Sequence, residues 1–151
     1  MQVVISFLVA IFLGALIGLQ REYEQQHSHI FRFAGIRTFI LISILGALLG
    51  YLSKEVLGNY VLAMIGLVIV LVFAALSYIL TYMKYKDNTA TTEIASVLVY
   101  VIALMCTIGF MELGVFLGIL IAVFLTFKKR IHHFPEKIKK KELVSLVEFA
   151  L

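Results

Sequence analysis

Residues 13–50 read LGALIGLQREYEQQHSHIFRFAGIRTFILISILGALLG. Two apolar runs flank a polar stretch, and how that stretch is read decides the fold. The first run closes on Gln20-Arg21-Glu22, and the second opens on Ala34-Gly35-Ile36-Arg37-Thr38. Neither run contains proline, and each is long enough to form a helix across a hydrocarbon core of roughly 30 Å. The expected structure is a helical hairpin in a bilayer, its first helix ending at Gln20-Arg21-Glu22 and a polar loop following. Arg21 then stands at a helix C-terminus, where the dipole favours a cation. Arg37 stands at a helix N-terminus, where a cation is disfavoured by roughly 0.3–1 kcal/mol. Arg37 is therefore expected to meet a carboxylate, a phosphate or water.

The rest of the chain continues this pattern. Of its 151 residues 62% are hydrophobic and only 15% charged, and the mean hydropathy is +1.05. This is more apolar surface than a soluble domain of this size uses, so the long apolar runs read as membrane spans. Five are expected, over residues 3–19, 36–52, 60–82, 92–110 and 113–127. Residues 92–127 are too long for one span, and Glu112, between Gly109 and Gly114, is the natural place to turn. No basic residue precedes the first apolar run, which argues against a cleavable signal. The single cysteine, Cys106, excludes an intramolecular disulfide and a cysteine metal cluster.

Charge gives the orientation. Arg21, Arg32 and Arg37 flank the first loop, Lys84 and Lys86 the third, and seven basic residues lie between Lys128 and Lys141. Lys54 alone falls on the other side. The positive-inside rule makes the basic face cytoplasmic, with the N-terminus outside and the C-terminus inside. The fold class is thus all-α: a polytopic five-helix membrane bundle, N-out/C-in, followed by an amphipathic cytoplasmic or interfacial helix. The net charge of +4 points to anionic lipid rather than nucleic acid.

Several residues stand out as functional candidates. Glu93 lies in the first turn of the fourth span, where the dipole favours an anion, with Asn88 or Thr89 as candidate caps. It shares the basic face with Arg21, Glu22, Arg37 and Thr38. Those five residues form the expected polar cluster, with Glu93 as the partner of Arg37. Gly14 with Gly18, Gly46 with Gly50, and Gly114 with Gly118 are spaced for close helix packing, within the chain or between copies. Tyr78, Tyr82 and Tyr85 read as interface anchors. Ser43 and Ser96 are expected to bond to helix backbone. His27 and His29 beside Glu24 are a weak metal signal, and neither a metal nor another cofactor is expected. There is no phosphate loop, nucleophile elbow or pair of catalytic carboxylates, so an enzyme is the least favoured class.

The stretch Gly14-Ala15-Leu16-Ile17-Gly18-Leu19-Gln20-Arg21-Glu22, with Ala34-Gly35-Ile36-Arg37-Thr38, resembles the MgtC/SapB family of bacterial membrane proteins. Gln20 stands where the family usually has an acidic residue, and Ile36 where it has leucine. The motif covers about a third of the chain. The resemblance implies a multi-pass inner-membrane protein, with a five-helix domain over residues 1–130 and a basic amphipathic tail over 131–151. It also implies a link to magnesium homeostasis, since studied members are tied to growth in low magnesium, survival in host cells and inhibition of the F-type ATP synthase. Thr92-Glu93-Ile94-Ala95 and the basic end near His133-Phe134 look more like relatives that carry a second, larger membrane domain, and the apolar ending Phe149-Ala150-Leu151 fits an N-terminal portion of one.

Two functions are weighed. One is a regulatory or partner-binding membrane protein, its partners being membrane lipids and another membrane protein, a second membrane domain or a second copy of the chain. The other is a transport module for an ion or small solute, with Arg21, Glu22, Arg37 and Glu93 lining a cytoplasmic vestibule. A cation pathway needs acidic or carbonyl groups near the midplane, and the sequence places no charge there.

Overall fold

The computed structural model of the protein is described for residues 1–28, 34–85 and 90–133. Among these are five α-helices and no strand: α1 (Gln2–Ser28), α2 (Ile36–Glu55), α3 (Val61–Tyr85), α4 (Thr91–Ile108) and α5 (Met111–His133). Helices suit this chain because a segment in lipid must satisfy its own backbone groups. The first four are long and apolar enough to cross a membrane, with α3 the most apolar at a mean hydropathy of 2.7. The apolar part of α5, Met111–Thr126, is shorter, about 24 Å along its axis. The chain is a multi-pass membrane protein. Residues 134–151, with most of the expected tail, lie outside the described residues, as do Arg32, Lys86, Asn88 and Thr89.

The polar residues after Gln20 do not end the first helix. α1 continues for about two further turns to Ser28. Residues 20–26 include Gln, Arg and Glu, all good helix formers, and no Gly or Pro. Polarity alone does not stop a helix. Arg21 is therefore seven residues short of the C-terminus, and the dipole argument does not apply to it.

The turn between α4 and α5 is made by Gly109, not by Glu112. Gly109 adopts φ +111°, a left-handed conformation that favours glycine. The Phe110 N–H then bonds to Met105 O at 3.0 Å. Glu112 falls in the first turn of α5, where the dipole favours its charge.

α1, α2 and α4 form the centre of the bundle. α3 packs on α2 and α4, while α5 packs on α1 and α4. Much of α3 faces outward with Ile65, Val68, Val72, Leu76 and Leu80 exposed, as expected of a surface that meets lipid. The core holds Ile17, Phe39, Ala47, Val99 and Cys106, all nearly inaccessible. Close approach makes glycine necessary at Gly46, where a Cβ would lie 2.5 Å from Tyr100 O, and at Gly18, where it would lie 2.8 Å from Ile36 Cα. Gly14 meets Ser43, Gly50 meets Leu104 and Thr107, Gly114 meets Cys106, and Gly118 meets Leu13.

Buried hydroxyls hold the helices together. Ser43 Oγ donates to Ala10 O of α1 at 2.6 Å, and Ser96 Oγ to Glu93 O in its own helix at 2.7 Å. Ala63, in the first turn of α3, is held twice: its N–H donates to Ser53 Oγ at 3.0 Å, and its carbonyl accepts from Tyr100 Oη at 2.7 Å. A first-turn N–H has no acceptor within its own helix, so Ser53 supplies the missing one.

Candidate functional site

The helical extension of α1 carries Arg21, Glu22, Glu24 and Gln25. Arg21 is only 2% exposed, and its Nη1 donates to Glu24 Oε2 at 2.7 Å. Gln20 Nε2 donates to the other carboxylate oxygen at 3.4 Å. Glu22 Oε2 accepts from the Ile36 N–H at 3.0 Å, and Gln25 Nε2 donates to Ala34 O at 3.0 Å. The start of α2 has no side-chain cap from Gly35, so α1 supplies one. A Cβ on Gly35 would lie 3.2 Å from the Glu22 carboxylate, and its absence lets the two elements meet. The paired motif at Gln20-Arg21-Glu22 and Ala34-Gly35-Ile36 is thus a clasp between α1 and α2.

Arg37 does not join it. It is exposed and makes no ion pair or hydrogen bond among the described residues. Its expected partnership with Glu93 is not formed. The core face of α2 carries Phe39, Ser43, Gly46, Ala47 and Gly50. Arg37, two residues before Phe39, points about 200° away from it. Thr38 is half-buried and faces α3 and α4.

Glu93 lies deeper than its place in a first turn suggests. α4 begins behind Ala90, whose side chain makes no cap. Glu93 Oε1 accepts from Ser77 Oγ of α3 at 3.4 Å. Ser77 is eight residues before the end of α3, about 12 Å along the axis, and within its apolar run. Glu93 therefore packs beside the apolar run of α3 rather than at the end of that helix. Its side chain is 9% exposed, and Oε2 is buried without a hydrogen-bond partner.

A cavity of about 230 Å³ adjoins it, between α2, α3 and α4. Thr38, Ser77, Thr92, Glu93 and Ser96 line one end, while Ile42, Leu45, Ile69 and Val70 line the other. Arg21, Glu22 and Arg37 are not among the residues that line this cavity. At the opposite end of the bundle a second cavity, about 240 Å³, is bordered by Ser6, Tyr51, Lys54, Cys106 and Met111. No group of three His, Cys, Asp or Glu residues among the described ones is placed to hold a metal.

Sequence reasoning overlooked four residues that matter here. Glu24 enters the sequence reading only beside the histidines, and Ser77 carries no role in it. Ser53 and Tyr100 were not singled out. Tyr100 carried a usable signal: a tyrosine in mid-span, far from an interface, has to find an acceptor for its hydroxyl.

A sequence model of a family described as the MgtC family matches residues 7–134, which run from the first turns of α1 to the end of α5. No curated protein matches the chain. No solved structure matches it.

Proposed function

Since the chain belongs to the MgtC family, we propose that it is a regulatory, partner-binding protein of the bacterial inner membrane, tied to magnesium homeostasis without conducting the ion. One observation carries this reading. The charged groups that a vestibule would need are used inside the chain or turned away from it: Glu22 caps α2, Arg21 pairs with Glu24, and Arg37 faces outward. Magnesium demands near-octahedral oxygen coordination and gives up water reluctantly. Beyond Glu93 the cavity walls are Ile42, Leu45 and Val70. The glycine contacts of α2 with α1 and α4 leave those helices backbone to backbone. Exposed Arg37, on the basic face, is free to meet an acidic partner at the membrane surface.

Transport is a second reading, and one observation favours it. The cavity below Glu93 reaches Leu45, midway along α2. Flux of magnesium and of chloride into liposomes holding the full chain separates the two. The regulatory reading expects both fluxes to equal those of empty liposomes. A saturable magnesium flux that Glu93→Gln abolishes would overturn it.

A further inference from the structure

We propose that the cavity between α2, α3 and α4 binds a small lipophilic primary ammonium, with its head on Glu93 and its tail along the apolar walls. Glu93 is more than nine-tenths buried, and its Oε2 has no hydrogen-bond partner. A buried polar atom left unmatched is costly, and more so when it is charged. Ser77 supplies one long bond to the other oxygen, at 3.4 Å. Glu93 is one of the residues that line the cavity, and rotation of its carboxylate would present Oε2 there.

The chemistry of the ligand follows from the walls. At about 230 Å³ the space is below the usual range for drug-sized ligands, roughly 300–1,000 Å³, so the ligand is small. One carboxylate matches one positive charge. A polyamine would leave its second charge among Ile42, Leu45 and Val70. A small divalent cation would have to give up its water to neutral hydroxyls and a single carboxylate, which leaves one of its charges unmatched. A primary ammonium carries three N–H donors, enough for Glu93 Oε2 and for hydroxyl oxygens at Thr38 and Ser77, which share the polar end. Ile69 and Phe73 line the cavity and are about half-exposed on α3, so an amphiphile enters sideways from the bilayer.

This inference concerns a ligand and stands apart from the regulatory reading, which the flux experiment tests. The full chain in nanodiscs is dialysed against labelled octylammonium, with empty nanodiscs as the blank. Saturable binding of one octylammonium per chain is expected. Glu93→Gln is expected to weaken it at least tenfold, and Ala74→Phe, which fills the cavity, to abolish it. Glu112→Gln, exposed on α5, is expected to leave it unchanged. Octanol, the neutral counterpart, is expected not to compete. Should Glu93→Gln fail to fold, Ala74→Phe and octanol still decide. Equal competition by octanol, or unchanged binding in either cavity variant, overturns the proposal. So does an absence of saturable octylammonium binding, including the case where a lysine-bearing apolar helical peptide binds instead and requires Glu93.

Discussion

Tyr100→Phe removes a single buried oxygen beside the first turn of α3 and preserves the shape of the ring. The Tyr100 side chain is 1% exposed, and its hydroxyl donates to Ala63 O at 2.7 Å. Ala63 lies where α3 begins to pack on α2 and α4, and it is also bonded by Ser53. Interhelical hydrogen bonds in membrane proteins average about 0.6 kcal/mol and reach about 1.7. Ala63 O keeps its intrahelical acceptor role, so the loss leaves one lone pair unmatched rather than a whole group. The expected cost is about 1 kcal/mol, roughly a fivefold fall in the folded-to-unfolded ratio. Ser53→Ala leaves the Ala63 N–H with no acceptor and is expected to cost about 1–3 kcal/mol. Both bonds hold the same residue, so the double variant is expected to depart from additivity by about 0.5 kcal/mol or more. Unfolding in mixed micelles by increasing dodecyl sulfate, followed by helical circular dichroism, measures all three. A Tyr100→Phe variant as stable as the parent, with strictly additive behaviour beside Ser53→Ala, would refute the double anchoring of α3.

Three other outcomes follow from the packing. Gly46→Val places a branched side chain where even a Cβ would lie 2.5 Å from Tyr100 O; a loss of about 1–3 kcal/mol is expected in the same unfolding assay. Glu22→Ala removes the acceptor for the Ile36 N–H and is expected to cost about 1 kcal/mol, with faster hydrogen exchange at the Ile36 amide. Glu22→Gln keeps a carbonyl oxygen there and should restore most of the protection. Arg37→Ala is expected to change stability by less than about 0.5 kcal/mol and to add simply to Glu93→Gln; a measurable coupling between the two would show that they pair.

The five helices were legible because polar stretches and turns separate the apolar runs, and four of them are long and apolar enough to cross a membrane. The α4–α5 division was legible too, although Glu112 was the wrong marker for it: Gly109, with its left-handed backbone, makes the turn. The site was less legible. That Glu93 is an acid at the start of a helix is a local fact. That this helix begins level with Ser77 is an offset between two helices, which no local pattern encodes. The same limit explains Arg37. Its residue type and the face of the membrane both suggested Glu93 as a partner, but its angle around α2 rules the contact out. The length of α1 was open to a better reading, since propensity favours a helix through residues 20–26 and only polarity suggested a loop.

The two ends of α3 show why the cavity exists where it does. Gly66, near one end, lets α3 approach Leu49 and Tyr100 closely. Ala74 and Ser77, further along, are also small and line the side facing α2 and α4. Small residues therefore give contact at one end and space at the other. The difference lies in what holds the helices. Near Gly66, Ala63 is tied at both its N–H and its carbonyl, at 3.0 and 2.7 Å. Near Ser77 a longer contact, 3.4 Å to Glu93, joins α3 to α4. The buried acid and the open space thus fall together where α3 is held by the longer bond, and close contact falls where it is held by the two shorter ones.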